Sequence, residues 1–179
     1  MSNTKLHVLT GQSSNLEATL PRIIAFSNAI FSADPSSKYA SITYWRDRLS
    51  SLSSVIIYLT SSDAESEAEA VRDANSPITP IAFLFAHPRT HAPPLRSGHT
   101  VETLHVWLAG VSPDYRKAGC LQRMMDAIPQ DEFGVLSVCT TPERFPEMWG
   151  WLRKRSWDVE RDMGGGKVLL SKRRGLREV

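Results

Sequence analysis

The sequence predicts a mixed α/β fold: a central, mostly antiparallel sheet flanked by helices, in a single domain over 1–179. Three observations lead there. Segments dense in β-branched and aromatic residues recur along the chain, among them SVIIYLT (54–60), PIAFLFA (80–86), VETLHVWLAGV (101–111) and FGVLSVCT (133–140). Segments with apolar residues three and four apart separate some of them and not others, giving the order β-α-α-β-β-β-α-β-α-β-β. Strands run together in the middle and alternate with helices later, so one sheet holds both kinds of pairing. A length of 179 residues suits one domain and can bury a core without crosslinks.

KLHVLT (5–10) reads as a short strand. A helix follows, with Thr19 as its cap, Pro21 in its first turn, and Leu20, Ile23, Ile24, Ser27 and Phe31 at helical spacing. The loop ADPSS (33–37) leads to a second helix around 40–51, anchored by Tyr44, Trp45 and Leu49. After the strand at 54–60, residues 61–78 form a flexible acidic insertion, where SSDAESEAEAVRDANSP carries five acidic residues and one arginine. The strand at 80–86 gives way to a proline-rich loop, HPRTHAPPLRSGHT (87–100). Beyond the strand at 101–111, a helix places Leu121, Met124, Met125 and Ile128 on one face, and Pro129 stops it. Thr141-Pro142 opens a helical stretch to about Lys154, whose regular part Pro146 delays. SWDVERD and KVLLSK flank GGG (164–166) as a hairpin, and a basic tail occupies 173–179.

Composition narrows the function. A net charge of +2 gives no case for nucleic acid or a membrane surface. The basic tail has no interleaved aromatics to stack bases. The start of the chain has no apolar core of a signal peptide, and no run is long enough to span a bilayer. Cys120 and Cys139 suggest a reducing compartment, so the expectation is a cytoplasmic protein, with the nucleus as the alternative. His87, His91 and His99 lie in a loop broken by three prolines, with no cysteine or carboxylate beside them, so no metal site is expected. GGGK (164–167) lacks the spacing of a phosphate-binding P-loop.

VSPDYRKAGCLQRMM (111–125) carries the chemistry. Here a strand passes to a helix, with Arg116, Lys117 and Gly119 at the junction. A helix start offers unpaired N–H groups, and a glycine lets a ligand approach the backbone, so the junction suits an anion such as a phosphate. Read without further context, the same residues also fit a plain strand-to-helix turn.

On these residues the chain resembles the Gcn5-related N-acetyltransferases (GNAT). That family's acyl-CoA motif has Arg or Gln, two residues, Gly, one residue, then Gly or Ala; Arg116 and Gly119 match, and Leu121 departs from it. Val111-x-Pro113 is also typical, the element order from 5 to 172 is similar, and Ser156-Trp157 stands where the family has Gly-Phe. The resemblance implies acetyl-CoA as co-substrate and an amine acceptor as partner, with no nucleic acid or membrane; a homodimer is left open. It implies that pantetheine lies between the strand ending at Val111 and the strand 133–140, bonded to the backbone of Ala109, Gly110 and Val111. It also implies that pyrophosphate sits on the amides of Arg116, Lys117, Ala118, Gly119, Cys120 and Leu121.

Acyl transfer to an amine needs a base and an oxyanion donor. In histone-type members a glutamate stands eleven residues before the Arg/Gln position, which here is His105. Glu102 is the second candidate, although strand alternation puts it on the other face. A main-chain amide near Gly110 or Val111 can polarise the thioester carbonyl. Many members protonate the leaving thiolate with a tyrosine four residues before Gly-Phe; that position is Leu152, with Trp151 beside it. Cys139 is expected to be a buried structural thiol. The acceptor pocket is expected around Phe31 to Trp45 and under the 87–100 loop, with Asp34, Tyr39, Tyr44, Trp45, Trp107 and Trp149 as lining candidates.

Overall fold

The computed structural model describes residues 4–32, 41–61, 79–96, 101–129 and 133–174. The sequence expectations for the acidic insertion, Asp34, Tyr39, His99 and the end of the basic tail lie outside them. The element order is β1 (Thr4–Leu9), α1 (Leu16–Phe31), α2 (Ile42–Leu49), β2 (Val55–Ser61), β3 (Pro80–Thr90), β4 (Glu102–Val111), α3 (Cys120–Asp126), β5 (Val135–Thr140), α4 (Pro146–Lys154), β6 (Asp158–Asp162) and β7 (Val168–Arg173). The sheet has seven strands in the order β1-β2-β3-β4-β5-β7-β6. It is mixed: β4 and β5 are parallel, whereas β1–β2, β5–β7 and β6–β7 are antiparallel.

Compact packing divides the chain into two units, Met1–Phe85 with Leu108–Ile128, and Ala86–Trp107 with Pro129–Val179. The first unit is built on apolar burial. Every residue of β2 is buried, so this strand is covered on both faces. Phe83 on β3 is ringed by Phe26, Phe31 and Trp45, with ring centroids 6.0, 6.5 and 5.9 Å away. Leu20, Ile23, Ile24 and Ser27 form the buried stripe of α1.

Two sequence expectations change in these elements. Helix α1 begins a turn before Thr19, whose N–H bonds the carbonyl of Asn15 at 3.0 Å, so Asn15 holds the cap position. Pro21 therefore sits inside the helix rather than in its first turn. It removes one backbone bond, and burial of the four-residue stripe around it holds the helix together. Strand β3 also runs on to Thr90, so His87–Thr90 are strand and not loop. Backbone pairing outweighs the local turn signal of Pro88 there.

In the second unit, β5 and β7 pair from Val135↔Arg173 to Thr140↔Val168. Pro146 is the first residue of α4, as its missing N–H favours. The helix ends in a left-handed residue, Ser156, at φ +57°. The N–H of Trp157 then reaches back to the carbonyl of Leu152 at 3.3 Å. Trp157 and Leu152 are both buried. Ser156 thus supplies the left-handed residue with which many helices end, a conformation glycine adopts most easily.

The left-handed conformation costs a non-glycine residue about 1–2 kcal/mol. Ser156→Gly is therefore expected to raise the melting temperature by roughly 2–4 °C per kcal/mol recovered. A calorimetric scan of the two proteins checks this; a lower value for the variant would contradict the strain.

Candidate active site

The strand-to-helix junction lies in the first unit. Gly110 packs against the Phe83 cluster, and a Cβ there would come within 2.9 Å of Phe83 Cε1 and 3.1 Å of Ile30 Cδ1. The N–H of Ser112 bonds the carbonyl of Ile81 at 2.8 Å, which fixes the exit of β4. A single 3-10 turn follows over Pro113–Tyr115. Lys117 then takes φ +64° and Gly119 φ +81°. A lysine held in the left-handed region is a strained residue, and such strain gathers at ligand-binding turns.

Arg116, Lys117, Ala118 and Gly119 are exposed, Leu121 is half-buried and Cys120 is buried. The junction therefore presents two cationic side chains and an open backbone, which suits a pyrophosphate. One detail differs from the implied set. The N–H of Arg116 already bonds the carbonyl of Pro113 at 3.2 Å, so this amide is engaged within the chain. Cys120 points its Sγ at the carbonyl of Tyr115, 3.6 Å away, and burial pushes its thiol pKa up, so it is a packing residue there.

The second unit holds a row of buried polar side chains on β3, β4 and β5. His91, Thr103, His105 and Ser137 are each 3% exposed or less. Arg89 Nη1 lies 3.1 Å from His105 Nε2. A guanidinium can only donate, so His105 Nε2 accepts and its proton is on Nδ1. His105 Nδ1 then donates to Ser137 Oγ at 2.8 Å. Ser137 Oγ is 2.7 Å from Thr103 Oγ1, which is 2.8 Å from His91 Nε2. Ser137 Oγ also lies 3.3 Å from His91 Nε2, so the two hydroxyls can pass their protons to His91 by either route. The parallel register sets His105 opposite Ser137, which is why the chain closes.

Burial, then the guanidinium groups of Arg89 and Arg161, lower the His91 pKa to about 4, against the pull of the Glu160 carboxylate. Neutral His91 is what the terminal acceptor of the chain requires. Glu160 itself sits at a break in the β6–β7 register between Val159 and Arg161, and is 3% exposed. Such a bulge re-aims a side chain. Its carboxylate accepts the N–H of Arg96 at 2.6 Å and the hydroxyl of Ser171, which stands opposite Ser137 in the β5–β7 register.

The residues predicted from sequence are thus distributed as follows. Arg116 to Leu121 come together in one turn. His105 is buried with its lone pair accepting from Arg89, while Glu102 is exposed at the start of β4. Leu152, where the resemblance implied a tyrosine in many members, is fully buried. Cys139 is only partly buried, with Arg89 Nη1 3.7 Å from its Sγ. Arg89, Thr103, Ser137, Glu160 and Ser171 escaped the sequence reading, and His91 was weighed there only as a metal ligand. The available signal was polar residues at alternate positions of apolar strands: Thr103 with His105, Ser137 with Cys139, and Ser171 among leucines.

Comparison with solved structures identifies the fold. An aminoglycoside N-acetyltransferase AAC(6')-Iy in complex with CoA matches with a TM-score of 0.63 at 10% identity, over 91% of this chain and 93% of that one. NAA60 of Arabidopsis thaliana in complex with acetyl-CoA matches at 0.60 and 12% identity, over 96% and 98%. A protein of Desulfovibrio desulfuricans assigned to the GNAT family matches at 0.58 and 11% identity, over 96% and 99%. No family model and no curated protein matches the sequence. The chain has the fold of the Gcn5-related N-acetyltransferases.

The His91 environment has a pH consequence. Its folded pKa lies below the ordinary value of 6.5, so the unfolded chain binds the proton first as pH falls. Stability from this site is intact above about pH 6.5 and is lost between there and about pH 4. The melting temperature is expected to fall over that window, and to fall less steeply in His91→Asn. Equal slopes in both proteins would rule out this histidine as the source.

Proposed function

We propose that the protein is an acetyl-CoA-dependent N-acetyltransferase, moving an acetyl group to a primary amine by direct attack in a ternary complex. The observation that carries the reading is the strained turn Arg116 to Leu121, on a fold shared with proteins solved with CoA and acetyl-CoA. The amides from Lys117 to Leu121 hold the pyrophosphate, with the side chains of Arg116 and Lys117 neutralising it. The backbone of Ala109, Gly110 and Val111 carries the pantetheine, and an amide of Gly110 or Val111 receives the oxyanion as the tetrahedral carbon forms. Acetyl-CoA supplies an activated acyl carbon; the chain supplies position and a proton acceptor.

The expected base candidates on β4 contribute differently. His105 keeps its lone pair on a permanent cation, so it acts as a link in the buried chain. Glu102 is exposed at the start of the strand. Leu152 cannot protonate the leaving thiolate, so that proton comes from the attacking nitrogen or from water. This absence supports a second reading, an acyl-CoA sensor that binds without turnover.

Binding and turnover separate the two. Saturation with CoA at 100 times its Kd adds about 2.7 kcal/mol, a rise of roughly 5–10 °C in melting temperature. Gly119→Glu places bulk and negative charge in the turn and is expected to abolish that rise. A variant that still responds to CoA would remove the turn from the site. Thiol release from acetyl-CoA with sisomicin, spermidine and a tetrapeptide with a free N-terminus then distinguishes enzyme from sensor.

A further inference from the structure

We propose that a cleft between the loop after β3 and the bulge of β6 is a binding site for a small dicarboxylate. The cleft lies wholly within the second unit and is lined by Pro93, Pro94, Arg96, Glu160 and Arg161. It is separate from the acyl-transfer chemistry proposed above and does not depend on it.

Its walls are tied in place. The N–H of His91 bonds the carbonyl of Val101 at 2.6 Å and closes the base of the loop. Leu95 is 1% exposed and anchors the middle of the loop. The N–H of Arg96 bonds the Glu160 carboxylate at 2.6 Å, which joins loop to strand. Glu160 also accepts from Ser171 Oγ and is 3% exposed, so its carboxylate serves the frame of the cleft.

The side chains left for a ligand are cationic. Arg161 is half-buried and Arg96 is exposed. Among the described residues, neither guanidinium has a hydrogen bond or an ion pair. A half-buried guanidinium has given up part of its hydration, and an anion restores that loss through charge-assisted hydrogen bonds. The local field favours an anion too. After burial itself, the charges of Arg89 and Arg161 lower the His91 pKa, and Glu160 opposes them with a smaller effect. Arg89 is turned to His105 and Cys139, which leaves Arg161 to the cleft.

Shape selects among anions. A guanidinium presents a planar fork that matches the two oxygens of a carboxylate. Two forks take two carboxylates. Pro93 and Pro94 have no N–H, so their rings give a rigid apolar wall for the carbon chain between them. The cleft has a volume of about 210 Å³. That is the room of roughly seven waters, which suits a dicarboxylate of about the size of succinate.

The test is calorimetric titration of the full chain with succinate, compared with acetate, succinamide and inorganic phosphate. Saturable one-to-one binding of succinate is expected, with acetate and phosphate about 10-fold weaker or more and succinamide inactive. Arg96→Gln and Arg161→Gln are each expected to weaken succinate by about 10–100-fold, with melting temperatures showing that both are folded. Arg161→Lys keeps the charge and loses the fork; it is expected to lose about 10-fold and serves if Arg161→Gln does not fold. Gly119→Glu is expected to bind succinate as the wild type does, and a loss there would put the anion on the Arg116–Leu121 turn and overturn this site. No saturable binding of succinate, or equal affinity in the Arg161 variants, would overturn the proposal. Phosphate binding tighter than succinate, with the same dependence on Arg96 and Arg161, would overturn the dicarboxylate assignment. None of these outcomes bears on CoA binding or thiol release, so the acetyltransferase reading stands or falls by its own experiment.

Discussion

A row of buried polar side chains, from His91 just beyond β3 to Thr103 and His105 on β4 and Ser137 on β5, constrains the second unit. Buried donors and acceptors without partners are costly, so each member must find one within the row. Arg89 sets the direction, because a guanidinium never accepts. From that single donor follows the tautomer of His105, whose Nδ1 then donates to Ser137. The row also pins the strands. Ser137 meets His105 only in the observed parallel register, and a slip of one residue would turn Ser137 to the opposite face.

The first unit follows different physics. Its β2 is buried throughout, and Phe83, Phe26, Phe31 and Trp45 form a dry aromatic cluster. Gly110 lies against that cluster with no room for a Cβ. Close packing there fixes the backbone from which the Arg116–Leu121 turn departs. The strain at Lys117 is sustained by the tied exit of β4, the 3-10 turn before it and the buried anchors Cys120 and Met124 after it.

Much of the fold was legible because its signals are local. Dense β-branched runs, helical apolar spacing and the triple glycine at 164–166 gave the order of every element from β1 to β7. The errors came where burial outweighed a local rule. Pro21 reads as a first-turn residue, but the stripe Leu20, Ile23, Ile24 and Ser27 carries the helix through it. His87–Thr90 read as loop because of Pro88, but strand pairing extends β3 past it. Part of the candidate site was legible for the same reason: Arg116, Lys117 and Gly119 are adjacent in sequence, so their spacing alone marks a turn. His105 was visible as an isolated histidine in an apolar strand, yet its role was not, because its partners Arg89 and Ser137 are 16 and 32 residues away.

The sequence by itself determined the element order, the mixed character of the sheet and the location of the cation-bearing turn, since each depends on residues within a few positions of one another. Only the tertiary structure decided that Arg89 holds the His105 proton on Nδ1, that Ser156 serves as a left-handed helix stop, and that Glu160 turns inward at a bulge. Those facts depend on strand register and burial, which bring distant donors and acceptors within 3 Å and exclude the water that would otherwise satisfy them.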